Sequence, residues 1–196
     1  MQVKVCGIRD ASIAHLAESL GADYLGFIFA EGSPRRVTVG EAAAIAAVLA
    51  GRAKLVGVFT TTPLQDIIAA AALIPLAVAQ LHSRHYGVAD VTALKLNGLE
   101  VWRLYSGDEA DDVADAVLFD GSSEGRCGGT GVRADWKRAA QLAASGRRVV
   151  LAGGISSKNA AAAAATGCAV LDVNSSLETS PGVKSPHSIR EFFASL

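Results

Sequence analysis

The sequence predicts a single (β/α)8 barrel, and three observations point to it. Short apolar, β-branched runs recur between Ala-rich segments long enough for helices, the alternation expected of βα units around a parallel sheet. Eight such pairs follow one another along the chain. The 196 residues are 51% hydrophobic, which supplies one sizeable core and leaves little for a second, so residues 1–196 read as one domain. That length sits slightly below the roughly 200-residue lower end for this barrel, so the loops must be mostly short. A doubly wound open sheet is the alternative, since strand order is not written in a single sequence.

The first strand is expected at 3–6, followed by a helix over 11–20 that Asp10 can cap and Gly21 can terminate. The aromatic-rich strand at 24–29 leads to a helix over 39–50, and the strand at 55–59 to a helix over 63–73. A strand at 77–81 precedes a weak helix within 86–96, and one at 101–104 precedes a very short helix near 108–114. This stretch, 84–115, carries the least regular pattern. A strand at 116–119 is followed by a helix over 134–145. The strand at 149–152 leads to the Ala-rich helix 157–165, with Ser156 as its expected cap and Gly167 at its end. The strand at 170–173 is followed by a final helix over 186–195, where Ser185 can cap and Pro186 suits the first turn.

Composition excludes several functions. With 18 Lys+Arg against 19 Asp+Glu, the net charge is −1, and no basic run offers a footprint for nucleic acid. No apolar stretch reaches the ~18 residues of a membrane span; even 67–79 is interrupted by Pro75. The opening residues do not read as a signal peptide, and Cys6, Cys127 and Cys168 lack paired spacing. Reduced thiols, a cytoplasmic location and no metal site are the expectation.

In such a barrel the active site lies where strands end and βα loops begin. The loops after strands 7 and 8 carry Gly153-Gly154 and Ser175-Ser176, suited to holding a phosphate through close backbone approach and hydroxyl donors. The cluster Gly128-Gly129-Thr130-Gly131 is a weaker sign, since a glycine run can be only a loop. Cys6 and Asp120, at the ends of strands far apart in the chain, form a plausible base and acid, although a small buried thiol and a loop-capping carboxylate are the plain alternatives. Arg35 could bind a substrate carboxylate through two hydrogen bonds, or be a solvated loop charge. His82 could bond a ligand or satisfy a loop carbonyl. His15, His85 and His187 read as surface residues; Asp10, Glu18 and Asp135 as caps or exposed helix charges; Trp102 and Trp136 as packing.

The order of motifs carries more than any one of them. Lys4-Val5-Cys6-Gly7-Ile8, Gly21-Ala22-Asp23-Tyr24-Leu25-Gly26-Phe27-Ile28-Phe29, Ser33-Pro34-Arg35, Val56-Gly57-Val58-Phe59, Gln80-Leu81-His82, Phe119-Asp120, Gly128-Gly129-Thr130-Gly131, Ala152-Gly153-Gly154-Ile155 and Asp172-Val173-Asn174-Ser175 occur in one chain. Together they closely resemble the phosphoribosylanthranilate isomerase family of tryptophan biosynthesis, across nearly the whole length. The resemblance implies a barrel that isomerises N-(5-phosphoribosyl)anthranilate to 1-(2-carboxyphenylamino)-1-deoxyribulose 5-phosphate, an Amadori rearrangement, with no metal or organic cofactor and only a small phosphoribosyl substrate as partner, as a monomer or homodimer. Carried over by motif, Cys6 would be general base and Asp120 general acid, Arg35 would hold the anthranilate carboxylate, and His82 would support the ligand. Asp172 would lie near the ribose. Gly153, Gly154, Asn174, Ser175 and Ser176 would bind phosphate, with Gly129 and Gly131 shaping the cover over the ligand.

The chemistry suits these types. Ring opening needs a proton from Asp120, which must therefore start protonated, as burial beside an anionic substrate would favour. Cys6 would then remove the C2 proton as a thiolate, which calls for local activation by a nearby cation or by the iminium itself. Two departures stand out: Ser83-Arg84-His85 where the family has glycine and acidic residues, and Asn174-Ser175-Ser176 where it has Ser-Ser-Gly. The Cβ at Ser176 could alter backbone approach to phosphate. Two other readings fit part of the pattern. One is an isomerase of another aminated phosphosugar, as in histidine biosynthesis, whose enzyme usually pairs two aspartates. The other is a phosphate-ligand-binding barrel without turnover.

Overall fold

The computed structural model of the chain describes residues 1–121 and 135–196. The first half runs β1 (Gln2–Cys6), α1 (Ala11–Ser19), β2 (Tyr24–Ile28), α2 (Val39–Ala46), β3 (Lys54–Phe59), α3 (Leu64–Leu73), β4 (Leu76–Leu81) and α4 (Val88–Leu96). The second half runs β5 (Glu100–Leu104), α5 (Glu109–Val113), β6 (Ala116–Asp120), α6 (Trp136–Ala144), β7 (Val149–Ala152), α7 (Ala160–Ala164) and β8 (Val170–Val173). A 3₁₀ turn at Ser175–Leu177, the short strands β9 (Glu178–Ser180) and β10 (Val183–Lys184), and α8 (Pro186–Ala194) complete it. β1 to β8 pair in chain order, and β1 also pairs with β8, so the sheet closes. Closure excludes the open doubly wound sheet. No helix among the described residues is long and apolar enough to cross a membrane.

Alternation along each strand divides the core into two compartments. Val3, Val5, Leu25, Phe27, Val117, Leu151 and Leu171 face outward and pack under the helices. Cys6, Tyr24, Ile28, Val58, Trp102, Leu118 and Val170 fill the barrel itself. Trp102 is fully buried and meets Tyr24 edge-on with ring centroids 4.8 Å apart, in the packing role expected of it. At the end of the barrel where the strands begin, Trp102 Nε1 donates to Glu100, which also pairs with Arg148; Arg148 Nη2 donates to the Tyr24 hydroxyl at 2.9 Å.

Several helix ends follow the local chemistry. Asp10 accepts from Ser12 and Ile13, Asp135 from Arg138 and Ser185 from Ser188, each a side-chain cap for a helix start. Gly21 and Gly167 hold φ of +99° and +75°, as their terminating role requires.

Four expectations need correction. Ser156 does not cap α7: its N–H donates to Asn159 Oδ1 at 2.8 Å, while Asn159 Nδ2 donates to Gly154 O at 2.9 Å, so residues before Asn159 shape the loop and the helix starts late. Glu18 is neither exposed nor a cap of its own helix. Its buried carboxylate accepts the N–H groups of Ala50, Arg52 and Ala53, which turns the chain into β3 and ends α2 at Ala46 rather than at 50. Those three donors hold the Glu18 pKa below its usual range, although burial, the largest single influence, opposes them. The β9–β10 hairpin falls between the expected elements, because strands of three and two residues are too short to show alternation.

Candidate active site

The ends of the strands open into a cavity of about 600 Å³ lined by Cys6, Arg35, His82, Asp120, Gly153 and Asp172 among others. Cys6 ends β1 and Asp120 ends β6; both point into the barrel because they share the inward phase of Lys4 and Leu118 two residues earlier. A sulfur near the chain's start and a carboxyl beyond its middle thus share one space. Gly26 is the partner of Cys6 on β2 and leaves room for it: a Cβ there would lie 3.0 Å from Sγ and 2.9 Å from Lys4 Cε.

Lys4 lies one inward position below Cys6 and is wholly buried. Its Nζ donates to Asp172 Oδ2 at 2.7 Å, to Gln80 Oε1 at 2.7 Å and to Cys6 Sγ at 3.3 Å. Burial alone would lower the ammonium pKa, yet Asp172 and Cys6 together hold it above the usual lysine value. Burial is also the largest influence on Cys6, and pushes the thiol pKa up; Lys4 and Lys184 pull it down, and Asp172 pushes it further up. Lys4 places a cation beside the sulfur, but burial and Asp172 outweigh it and hold the thiol pKa above its usual value.

Among the described residues, the His82 side chain meets a carboxylate rather than a loop carbonyl. Its Nε2 lies 3.1 Å from Asp120 Oδ2, at the rim of the cavity. Arg35 is not a solvated charge: it is buried, and donates through Nε and Nη2 to the two oxygens of Glu178, each at 2.8 Å. Lys184 Nζ donates to Glu178 at 3.0 Å and to Asn174 Oδ1 at 2.6 Å. Burial would raise the Glu178 pKa, but Arg35 and Lys184 hold it below the usual range. The fork on Glu178 fixes the guanidinium plane at the cavity wall. Backbone contact sets this geometry. Gly182, φ +84°, brings the β9–β10 turn so close to the Arg35 loop that a Cβ would lie 2.5 Å from Pro34 O.

Of the expected phosphate contacts, Gly153, Gly154, Asn174 and Ser175 line the cavity. Gly153 and Gly154 both hold positive φ, +84° and +70°, and a Cβ on Gly153 would lie 2.6 Å from Gly121 N. The Ser176 hydroxyl donates to Ile155 O at 2.6 Å, which ties the loop after β8 to the loop after β7. Gly129, Gly131 and Cys127 lie outside the described residues. His15, His85 and His187 are exposed, and the described residues hold no cluster of three metal-ligating side chains.

Sequence reasoning passed over Lys4, Glu178 and Lys184. Lys4 had a readable signal. A charge between Val3 and Val5, in phase with Cys6 on a strand buried on both faces, can only point into the barrel. Glu178 and Lys184 gave none, because only the hairpin turns them toward Arg35.

A sequence profile of the N-(5'phosphoribosyl)anthranilate (PRA) isomerase family matches residues 3–195. The N-(5'-phosphoribosyl)anthranilate isomerase of Rubrobacter xylanophilus is 38% identical, over 97% of this chain and 96% of that protein. The crystal structure of phosphoribosyl anthranilate isomerase from Thermus thermophilus superposes with a TM-score of 0.89 at 36% identity, covering 100% of this chain and 98% of that one. A phosphoribosyl anthranilate isomerase in complex with reduced 1-(o-carboxyphenylamino)-1-deoxyribulose 5-phosphate superposes with a TM-score of 0.83 at 25% identity, covering 100% and 97%.

Proposed function

Because the chain belongs to the N-(5'-phosphoribosyl)anthranilate isomerase family, we propose that Cys6 and Asp120 are the base and acid with which it performs that family's reaction. The enzyme converts N-(5'-phosphoribosyl)anthranilate to 1-(2-carboxyphenylamino)-1-deoxyribulose 5-phosphate in tryptophan biosynthesis. The observation that supports these roles is the shared cavity of the two groups, with Arg35 on one side and the paired glycines Gly153 and Gly154 on another.

Asp120 gives a proton to the ring oxygen as the C1–O bond breaks, leaving a cationic imine between C1 and the anthranilate nitrogen. His82, beside Asp120, orients the carboxyl. Cys6 gives its thiol proton to solvent before the substrate is bound, with Lys4 and Lys184 favouring the thiolate, and the cationic imine then acidifies the proton on C2 that the thiolate takes. Cys6 removes that proton to form an enolamine, which tautomerises to the ketone. Arg35 holds the anthranilate carboxylate, and the loops at Gly153-Gly154 and Asn174-Ser175 hold the phosphate, orienting the reacting carbons between sulfur and carboxyl. Cys6 and Cys168 are free thiols, which supports a reducing, cytoplasmic setting.

Freshly prepared phosphoribosylanthranilate should be consumed by the purified protein, followed through anthranilate fluorescence. Cys6→Ser and Asp120→Asn should each lower kcat by about a hundredfold or more with the fold intact. Undiminished turnover in both variants would remove these roles.

A further inference from the structure

The wall of the cavity holds a carboxylate oxygen with no partner among the described residues. Asp172 is buried, and its Oδ2 accepts from Lys4 at 2.7 Å, but its Oδ1 has no hydrogen-bond donor. An acceptor buried in this way costs free energy unless a ligand supplies the missing donor. Position narrows what that donor is. Asp172 pairs in register with Lys4 across β8 and β1, and Lys4 Nζ bridges Asp172 and Cys6 Sγ. The open oxygen therefore belongs to the same corner of the cavity as the sulfur. The donors nearest the carbon that Cys6 deprotonates are that carbon's own hydroxyl and its neighbour.

We propose that Asp172 is a catalytic residue that accepts the proton of the C2 hydroxyl as the enolamine becomes the ketone. This deepens the reading of the site above and rests on it. Cys6 as thiolate takes the C2 hydrogen, and the electron pair of that C–H bond forms C1=C2 while the imine nitrogen becomes neutral. In the next step the O–H bond on C2 breaks toward Asp172 Oδ1, C2=O forms, and the C1=C2 pair takes a proton at C1 from the Cys6 thiol. Sulfur returns to the thiolate and Asp172 ends protonated. The proton that Asp120 gave up to the ring oxygen is made good from solvent as Asp172 loses its own, so no oxidant or cofactor enters. Lys4 is a positioning residue: by engaging Oδ2 it turns Oδ1 toward substrate.

Two measurements test this. In single turnovers of Asp172→Asn, loss of substrate fluorescence should slow less than about tenfold, whereas the ketone, trapped by rapid quenching into borohydride, should form at least about a hundredfold more slowly. Equal slowing of both signals, or of neither, overturns the proposal. The second measurement does not depend on the variant folding. By calorimetry, the wild-type enzyme should bind the borohydride-reduced product at least about tenfold more tightly than its 2-deoxy counterpart. Equal affinities overturn it as well. Failure of the wild-type protein to consume phosphoribosylanthranilate would instead defeat the reading of the site on which the proposal rests.

Discussion

Cys6 stands between opposed influences, and their balance has a sign that kinetics can read. Burial and Asp172 favour the thiol, while Lys4 and Lys184 favour the thiolate, with Arg35 also within electrostatic reach of the sulfur. The free enzyme must lose the thiol proton to become competent, so kcat/KM should rise with pH through a limb above the ordinary thiol range. Lys4→Gln removes a charge that lowers the pKa and should move that limb further up. A limb that stays in place would show that Lys4 does not set the basicity of Cys6. Arg35 offers a test of a different kind. Arg35→Ala should raise KM for phosphoribosylanthranilate about tenfold or more, ~1.4 kcal/mol, and leave KM unchanged for the phosphoribosylaniline analogue that lacks the carboxylate. Equal loss on both compounds would mean that the guanidinium serves the fold alone.

The βα loops and the β9–β10 hairpin convert barrel positions into a site. Gly182 is the tightest of these junctions, combining φ of +84° with Pro34 O at 2.5 Å from the position of a Cβ. Gly182→Ala should cost more than about 1 kcal/mol in denaturant unfolding and raise KM by displacing Arg35. An unchanged midpoint and KM would show that the hairpin yields without disturbing the arginine. All eight barrel strands lie within about one residue of where the apolar runs put them, since strands buried on both faces are mostly apolar, with Lys4 and Asp172 among the exceptions. Helix ends were less legible. Ser156 has the right chemistry for a cap, but the side chain that organises that turn is Asn159. Glu18 looked like a surface charge, because nothing local reveals that residues 50–53 come back to meet it.

Across the whole molecule, the two ends of the barrel do separate work. The cavity occupies the end where strands finish, and the Arg148, Glu100, Trp102 and Tyr24 contacts tie together the end where they begin. Tyr24→Phe removes the hydroxyl that accepts from Arg148 and donates toward Gln2, and should lower stability by about 0.5–1.5 kcal/mol while leaving kcat unchanged. Thermal unfolding beside steady-state kinetics checks this. A fall in kcat would show that the two ends are coupled through the core.

From its residues alone the chain declared eight βα units, one domain, and the order of the motifs holding Cys6, Arg35, Asp120 and the paired glycines, because alternation, caps and turns are local properties of sequence. Barrel closure decided the rest. It brought β1 beside β8 and so placed Lys4 between Cys6 and Asp172, and the hairpin locked Arg35 onto Glu178. The Arg35–Glu178 and Lys4–Asp172 contacts join residues 143 and 168 positions apart, and their strength depends on burial that no single segment possesses until the sheet has closed.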